Sequence, residues 1–205
     1  MSDLGAHLAL AALIVLSAAG CVDLTTPRPC TALLTGDPPP RSTEEVEAIV
    51  EGLRPVLYPE LEGVAIDLTV GNREGDFFWA MVDVATANDP PRERGYQVFH
   101  DLDLFDDPPP HDAVVAILAH EIRHIADYAE MEAEDLGHFV YWYMTEDVAD
   151  YERETDEHAL ALGCGPGLIE FRRWLYDHVD AETVEQKRRD YYTPEEIEAW
   201  MANHD

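Results

Sequence analysis

Ala113-Val114-Val115-Ala116-Ile117-Leu118-Ala119-His120-Glu121-Ile122-Arg123-His124 is an apolar run that closes in the pattern His-Glu-x-x-His. Pro108-Pro109-Pro110 stops whatever precedes it, and Asp112 is placed to cap a helix that starts there. Residues 113–119 carry no charge, so the helix is expected to be buried. At 3.6 residues per turn His120 and His124 project from one face, close enough for both imidazoles to reach one metal ion. Glu121 stands one step round the helix, where it reaches a water held by such an ion, the position of a general base. Two His and a Glu at the end of a buried helix are costly without a partner of this kind.

Two imidazoles leave a catalytic site one protein ligand short. A metzincin would continue as His-x-x-Gly-x-x-His, but Asp127 and Glu130 hold those places. The better source is the later segment from Thr145 to Gly163. Thr145 as N-cap, Glu146 and Asp147 in the first turn and Gly163 as a stop predict a helix. Steps of three and four give an inward stripe of Val148, Glu152, Thr155, Asp156, Ala159 and Leu162, with Glu154 and Glu157 in solvent. On this stripe Glu152 can serve as the third ligand. Asp156, one turn later, can accept the free ring N–H of a ligating His and fix its tautomer. The alternative is a structural network in which Glu152 and Asp156 pair with Arg123, Arg153 or Arg172.

His120-Glu121-x-x-His124 followed by Glu152-x-x-x-Asp156-x-x-Ala159 resembles the gluzincin branch of zinc metallopeptidases. The resemblance implies an α+β, zincin-like fold, with a small N-terminal β-sheet packed on the active-site helix and a helical C-terminal half. It also implies one Zn2+ on His120, His124 and Glu152, with Glu121 as catalytic base. No clear motif supplies the donor that steadies the transition state in such enzymes; His158, Tyr151, Tyr191 and Tyr192 are the candidates.

A chain of 205 residues, 46% hydrophobic and 27% charged, is long enough for one globular domain, placed over residues 42–205. Its net charge of −30 repels nucleic acid, which is excluded as a partner. Residues 4–20 are almost wholly apolar and run into Ser17-Ala18-Ala19-Gly20-Cys21. This looks like a bacterial lipoprotein signal peptide over residues 1–20, with Cys21 lipidated; a cleaved ordinary signal and an uncleaved anchor are the alternatives. The expected location is the exported side of the cell envelope, with the membrane as a partner through the lipid. Cys30 and Cys164 then remain, as a disulfide or as free thiols. Pro-rich residues 21–41 read as a tether.

Ser42 and Glu45 form a capping box for a helix with stripe Val46, Ile49, Val50 and Leu53, ending near Pro55. Alternation predicts strands over 64–70, 77–84 and 96–100, a small sheet whose edge could take an extended peptide. Acidic residues 101–107, flanked by His100 and His111, read as a solvated turn or as a second, calcium site. Aromatic residues 137–144 pack over the active-site helices or form a wall facing substrate. An amphipathic helix follows over 168–179, and Thr193 with Glu196 caps a last one. The expected function is hydrolysis of a peptide or protein substrate by a zinc metallopeptidase; the alternative is a non-catalytic zinc-binding or scaffold envelope lipoprotein.

Overall fold

Helix α2 (His111–Glu130) contains the apolar run and is buried on all sides over residues 113–122. A helix apolar all round must be wrapped. It is wrapped by α1 (Thr43–Leu57), the strand β2 (Phe78–Val82), α4 (Ala149–Ala161) and α5 (Gly165–His178). The other helices are α3 (Ala133–Thr145), α6 (Ala181–Asp190) and α7 (Pro194–His204), so the α+β chain is mostly helical. This computed structural model describes residues 28–204. The expected signal peptide and the lipidated Cys21 lie outside the described residues, as does the first part of the expected tether. Among the described residues no helix is long and apolar enough to cross a membrane.

The sheet has the order β1-β3-β2, with β1 (Ala65–Gly71) parallel and β2 antiparallel to the central β3 (Gly95–Asp101). The turn after Gly71 therefore closes no hairpin, because β3 lies between the strands it joins. The registers Ile66↔Tyr96, Leu68↔Val98 and Ala80↔Val98 align one face across all three strands, and its Tyr96, Val98 and Phe78 are buried in the core. β1 and β2 are left as the edges.

Two expected caps move. Pro110, with extended backbone, occupies the cap position of α2, so Asp112 falls within the first turn. There its carboxylate accepts the N–H of Gly36 at 3.0 Å. Thr145 ends α3 instead of opening α4, because the aromatic run stays helical to that point. The break falls over 146–148, and Asp147 accepts the N–H of Ala149. Gly163 does stop α4, at a φ of +94° that other residues rarely adopt. The buried side of α4 is Glu152, Thr155, Asp156, Ala159 and Leu160, with Leu160 in place of Leu162. Pro55 lies inside α1, which runs on to Leu57. Thr193 and Glu196 bond reciprocally at the start of α7.

Cys30 and Cys164 are joined by a disulfide, with Cα atoms 5.3 Å apart. It fixes the incoming chain against the α4–α5 turn, where the N–H of Cys30 also bonds the carbonyl of Leu162 at 2.9 Å. Leu33 and Leu34 pack on the core and Pro40 is buried, so residues 28–41 lie along the domain.

The tightest helix crossing is α2 with α5. A Cβ on Gly167 would stand 2.2 Å from the Asp112 carbonyl oxygen and 2.7 Å from the Ala116 Cβ. Gly167→Ala should therefore lower stability to urea by about 1–3 kcal/mol. The exposed Gly52 of α1 meets nothing within 4 Å, and Gly52→Ala should raise stability by about 0.5–1 kcal/mol. Equal midpoints for the two variants would show that the helices do not touch at Gly167.

Candidate metal centre

The one-turn spacing on α2 sets His120 and His124 side by side, and the buried side of α4 brings Glu152 to them. The three residues are 1%, 5% and 1% exposed. Nε2 of His120 lies 3.2 Å from Nε2 of His124 and 3.2 Å from Oε2 of Glu152, and the third edge, His124 Nε2 to Glu152 Oε2, is 3.3 Å. A tetrahedral cation with bonds of about 2.0 Å has ligands about 3.3 Å apart, so this near-equilateral triangle has the dimensions of one coordination face. Two imidazole nitrogens and a carboxylate oxygen this close repel through their lone pairs unless a donated hydrogen or a cation lies between them. His120, His124 and Glu152 thus form a buried group that can hold a metal ion.

Each of the three side chains is held from behind. Nδ1 of His124 meets the hydroxyl of Tyr151 at 3.0 Å, and that hydroxyl donates to Asp127 at 3.2 Å. This relay assigns the His124 proton to Nδ1 and turns the Nε2 lone pair inward. Asp127 is itself paired with Arg123. Oδ1 of Asp156 lies 2.9 Å from Nδ1 of His120, close but not aligned as a hydrogen bond. Asp156 also accepts from Arg172 at 3.0 and 3.2 Å and from the backbone of Tyr192 at 3.0 Å. Asp156 is thus bonded into a pair with Arg172, one of the two expected readings, while it lies beside His120 without an aligned bond to it. Glu152 pairs with no arginine: its Oε1 accepts the hydroxyl of Tyr143 at 2.6 Å. The sequence reading passed over Tyr143, although Leu136, Phe139 and Tyr143 recur at helical steps of three and four.

Glu121 is 6% exposed and has no hydrogen-bond partner among the described residues. It lines a cavity of about 20 Å³ with Asp76, Phe78, Arg172, Lys187 and Tyr191. Burial pushes its carboxyl above the ordinary range; the neighbouring His120 and His124 pull it down, while Glu152 and Asp76 add to the rise. Of the four expected transition-state donors, only Tyr191 shares this cavity. Its ring lies 5.7 Å from that of His120 and 4.6 Å beneath the Arg172 guanidinium. Burial, then the charge of Glu152, holds its hydroxyl well above the ordinary range, so it remains a donor. Tyr151 stands behind His124. Tyr192 sends its hydroxyl to the exposed Glu157, and His158 stacks on Tyr58 at 5.8 Å beside a separate cavity with Arg123 and Asp127.

In the acidic segment, Nε2 of buried His100 meets Thr43 at 3.0 Å, and Asp101 caps the next turn through the N–H of Asp103 at 2.9 Å. His111 pairs with Asp112. Among the described residues, the triad is the group of three or more such side chains gathered around one point. Comparison with known protein families, curated proteins and solved structures finds no match for this chain.

Without a metal, burial alone would lower the pKa of His120, but Asp156 and Glu152 outweigh it and raise it from 6.5 to about 10. Burial would raise Glu152, but His124 and His120 hold it well below its ordinary value. The folded pKa of His120 exceeds the unfolded one, so its contribution to metal-free stability is complete below about pH 6.5 and is lost as pH rises towards 10. Glu152 contributes above the ordinary carboxylate range and its share is lost on acidification. A metal must displace the His120 proton. Titration calorimetry at pH 7.5 in buffers of different ionisation enthalpy should show about one proton released per metal bound; no release would mean that His120 is neutral.

Proposed function

We propose that this chain is a zinc-dependent metallopeptidase of gluzincin type, with His120, His124 and Glu152 as ligands and Glu121 as general base, on a zincin-like arrangement of sheet and helices. The observation that carries the reading is the triangle of ligand atoms with Glu121 beside it, opening on the cavity that Tyr191 shares. Two imidazoles and one carboxylate in tetrahedral spacing suit zinc, whereas calcium and magnesium favour all-oxygen shells.

A zinc ion held there would supply Lewis acidity to a water and to a substrate carbonyl. Glu121 takes the proton of the attacking water and passes it to the leaving amine; its raised carboxyl pKa suits that exchange. The Tyr191 hydroxyl, kept protonated, donates to the developing oxyanion. Tyr151 and Asp156 orient the two imidazoles, and Tyr143 orients Glu152. The substrate is a peptide or protein. The apolar run before Cys21 supports an exported, lipid-anchored location in a bacterial envelope, and the Cys30–Cys164 disulfide accords with an oxidising compartment.

The near-complete burial of the triad favours a second reading, a lipoprotein that keeps zinc without turnover. Activity separates the two. Glu121→Gln should retain one zinc per chain while hydrolysis of a peptide library falls by about 10²–10⁴-fold, and Glu152→Ala should lose the zinc itself. Wild-type cleavage by the Glu121→Gln variant would remove the assignment. Tyr191→Phe should lower kcat by about 10²–10³-fold and leave KM unchanged; an unaltered kcat would discharge Tyr191 from the role.

A further inference from the structure

The proposed centre is closed. Its three ligands and Glu121 are at most 6% exposed, and the cavity at Glu121, about 20 Å³, has room for about one water. No peptide reaches Glu121 unless an element moves. On one side α6 is tied down: Lys187 pairs with Asp76, and Arg153 reaches the carbonyls of Arg188 and Arg189 at 3.4 Å each. Away from the Glu121 cavity, α3 lies against Glu152 through Tyr143 and against the Tyr151 that backs His124, and it is fastened far more lightly.

Leu136 is the single fully buried residue of α3. The backbone is extended at Met131 and Glu132 before the helix and at Glu146 after it, so both ends are breaks. Among the described residues, the Tyr143 bond to Glu152 is the one hydrogen bond from an α3 side chain to another element. Phe139 adds ring contacts to Tyr128 at 5.7 Å and Tyr151 at 5.1 Å, and both of those rings lie against His124. The outer face, Val140, Tyr141 and Met144, is exposed. Lifting α3 thus uncovers Leu136, separates the rings of Phe139, Trp142 and Tyr143 from Tyr128 and Tyr151, and breaks one hydrogen bond.

We propose that α3 is a lid over the metal centre, hinged at residues 131–132 and 146–148 and latched by the Tyr143 hydroxyl on the ligand carboxylate of Glu152. The proposal rests on the reading of the triad as a metal centre. With the lid shut, Tyr143 is a positioning residue: it holds Oε1 of Glu152 so that Oε2 faces the two imidazoles. With the lid raised, that restraint is released and the Tyr128 and Tyr151 rings that flank His124 lose the cover of Phe139.

The test is hydrogen exchange followed by mass spectrometry on the full chain, with and without zinc, paired with the rate of zinc transfer to excess chelator. Amides of residues 133–145 should exchange at least about 10²-fold faster than those of α2. Tyr143→Phe should speed α3 exchange and zinc release about tenfold or more, the effect of losing a hydrogen bond to a charged group, while α2 exchange is unchanged. Leu136→Ala should act in the same direction, and the outward Tyr141→Ser should move neither rate. One zinc per chain with α3 and α2 exchanging together, or with zinc release unmoved in both lid variants, would overturn the lid and leave the metal centre standing. No zinc bound by the wild type would overturn the metal centre, and the lid proposal with it.

Discussion

The meeting of α2 and α4, which sets a carboxylate oxygen within 3.3 Å of two imidazole nitrogens, is the constraint on which the other parts depend. Such a contact is unfavourable unless charge is balanced and every remaining polar atom is held. The surrounding architecture does this from several directions. Arg172 reaches in from α5 to Asp156, and α5 comes close enough only because Gly167 lets it lie against the first turns of α2. Tyr58, which follows α1, donates to the carbonyl of Ala119 at 2.6 Å, one residue before His120. The disulfide then clamps the turn from which α4 ends and α5 begins. Each fastening is remote from solvent, so the triangle is held by packing and not by surface ion pairs, which contribute little.

How much of this is legible in the chain depends on distance along it. The motif on α2 is local, and the helical period alone places both imidazoles; the same period places Glu152 and Asp156 on one side of α4. Strand order is a different matter. β1 and β2 follow each other in sequence, yet β3 pairs with both, and no local signal encodes that choice. Thr145 is a good cap and an equally tolerable last residue of a helix, and only the extent of the preceding aromatic helix makes it the end of α3 and not the start of α4. Tyr191 and Tyr192 are indistinguishable as letters. After α6 the chain is extended at Tyr191, with φ −124° and ψ 164°, so the two side chains diverge, one to the Glu121 cavity and one to the surface.

Tyr143 shows a further limit. Its run of neighbours is aromatic on every side of the helix, and composition cannot say which ring points inward. The answer is set by Leu136, the one fully buried position of α3: a step of three leads from it to Phe139, which also packs on the core, and a further step of four to Tyr143, while Val140, Tyr141 and Met144 are exposed.

Charge ties metal loading to catalysis on the proposed reading. In the metal-free chain the buried set carries the protonated His120 and Arg172 against Glu152 and Asp156, which balances, and burial raises the carboxyl pKa of Glu121 beside it. A divalent cation that displaces the His120 proton adds one net positive charge beside Glu121. That added charge favours the ionised form of Glu121, the form a general base requires. A chain of net charge −30 favours this loading, since its field concentrates cations at the surface, while the burial of the triad under α3 keeps surface carboxylates from competing for the ion.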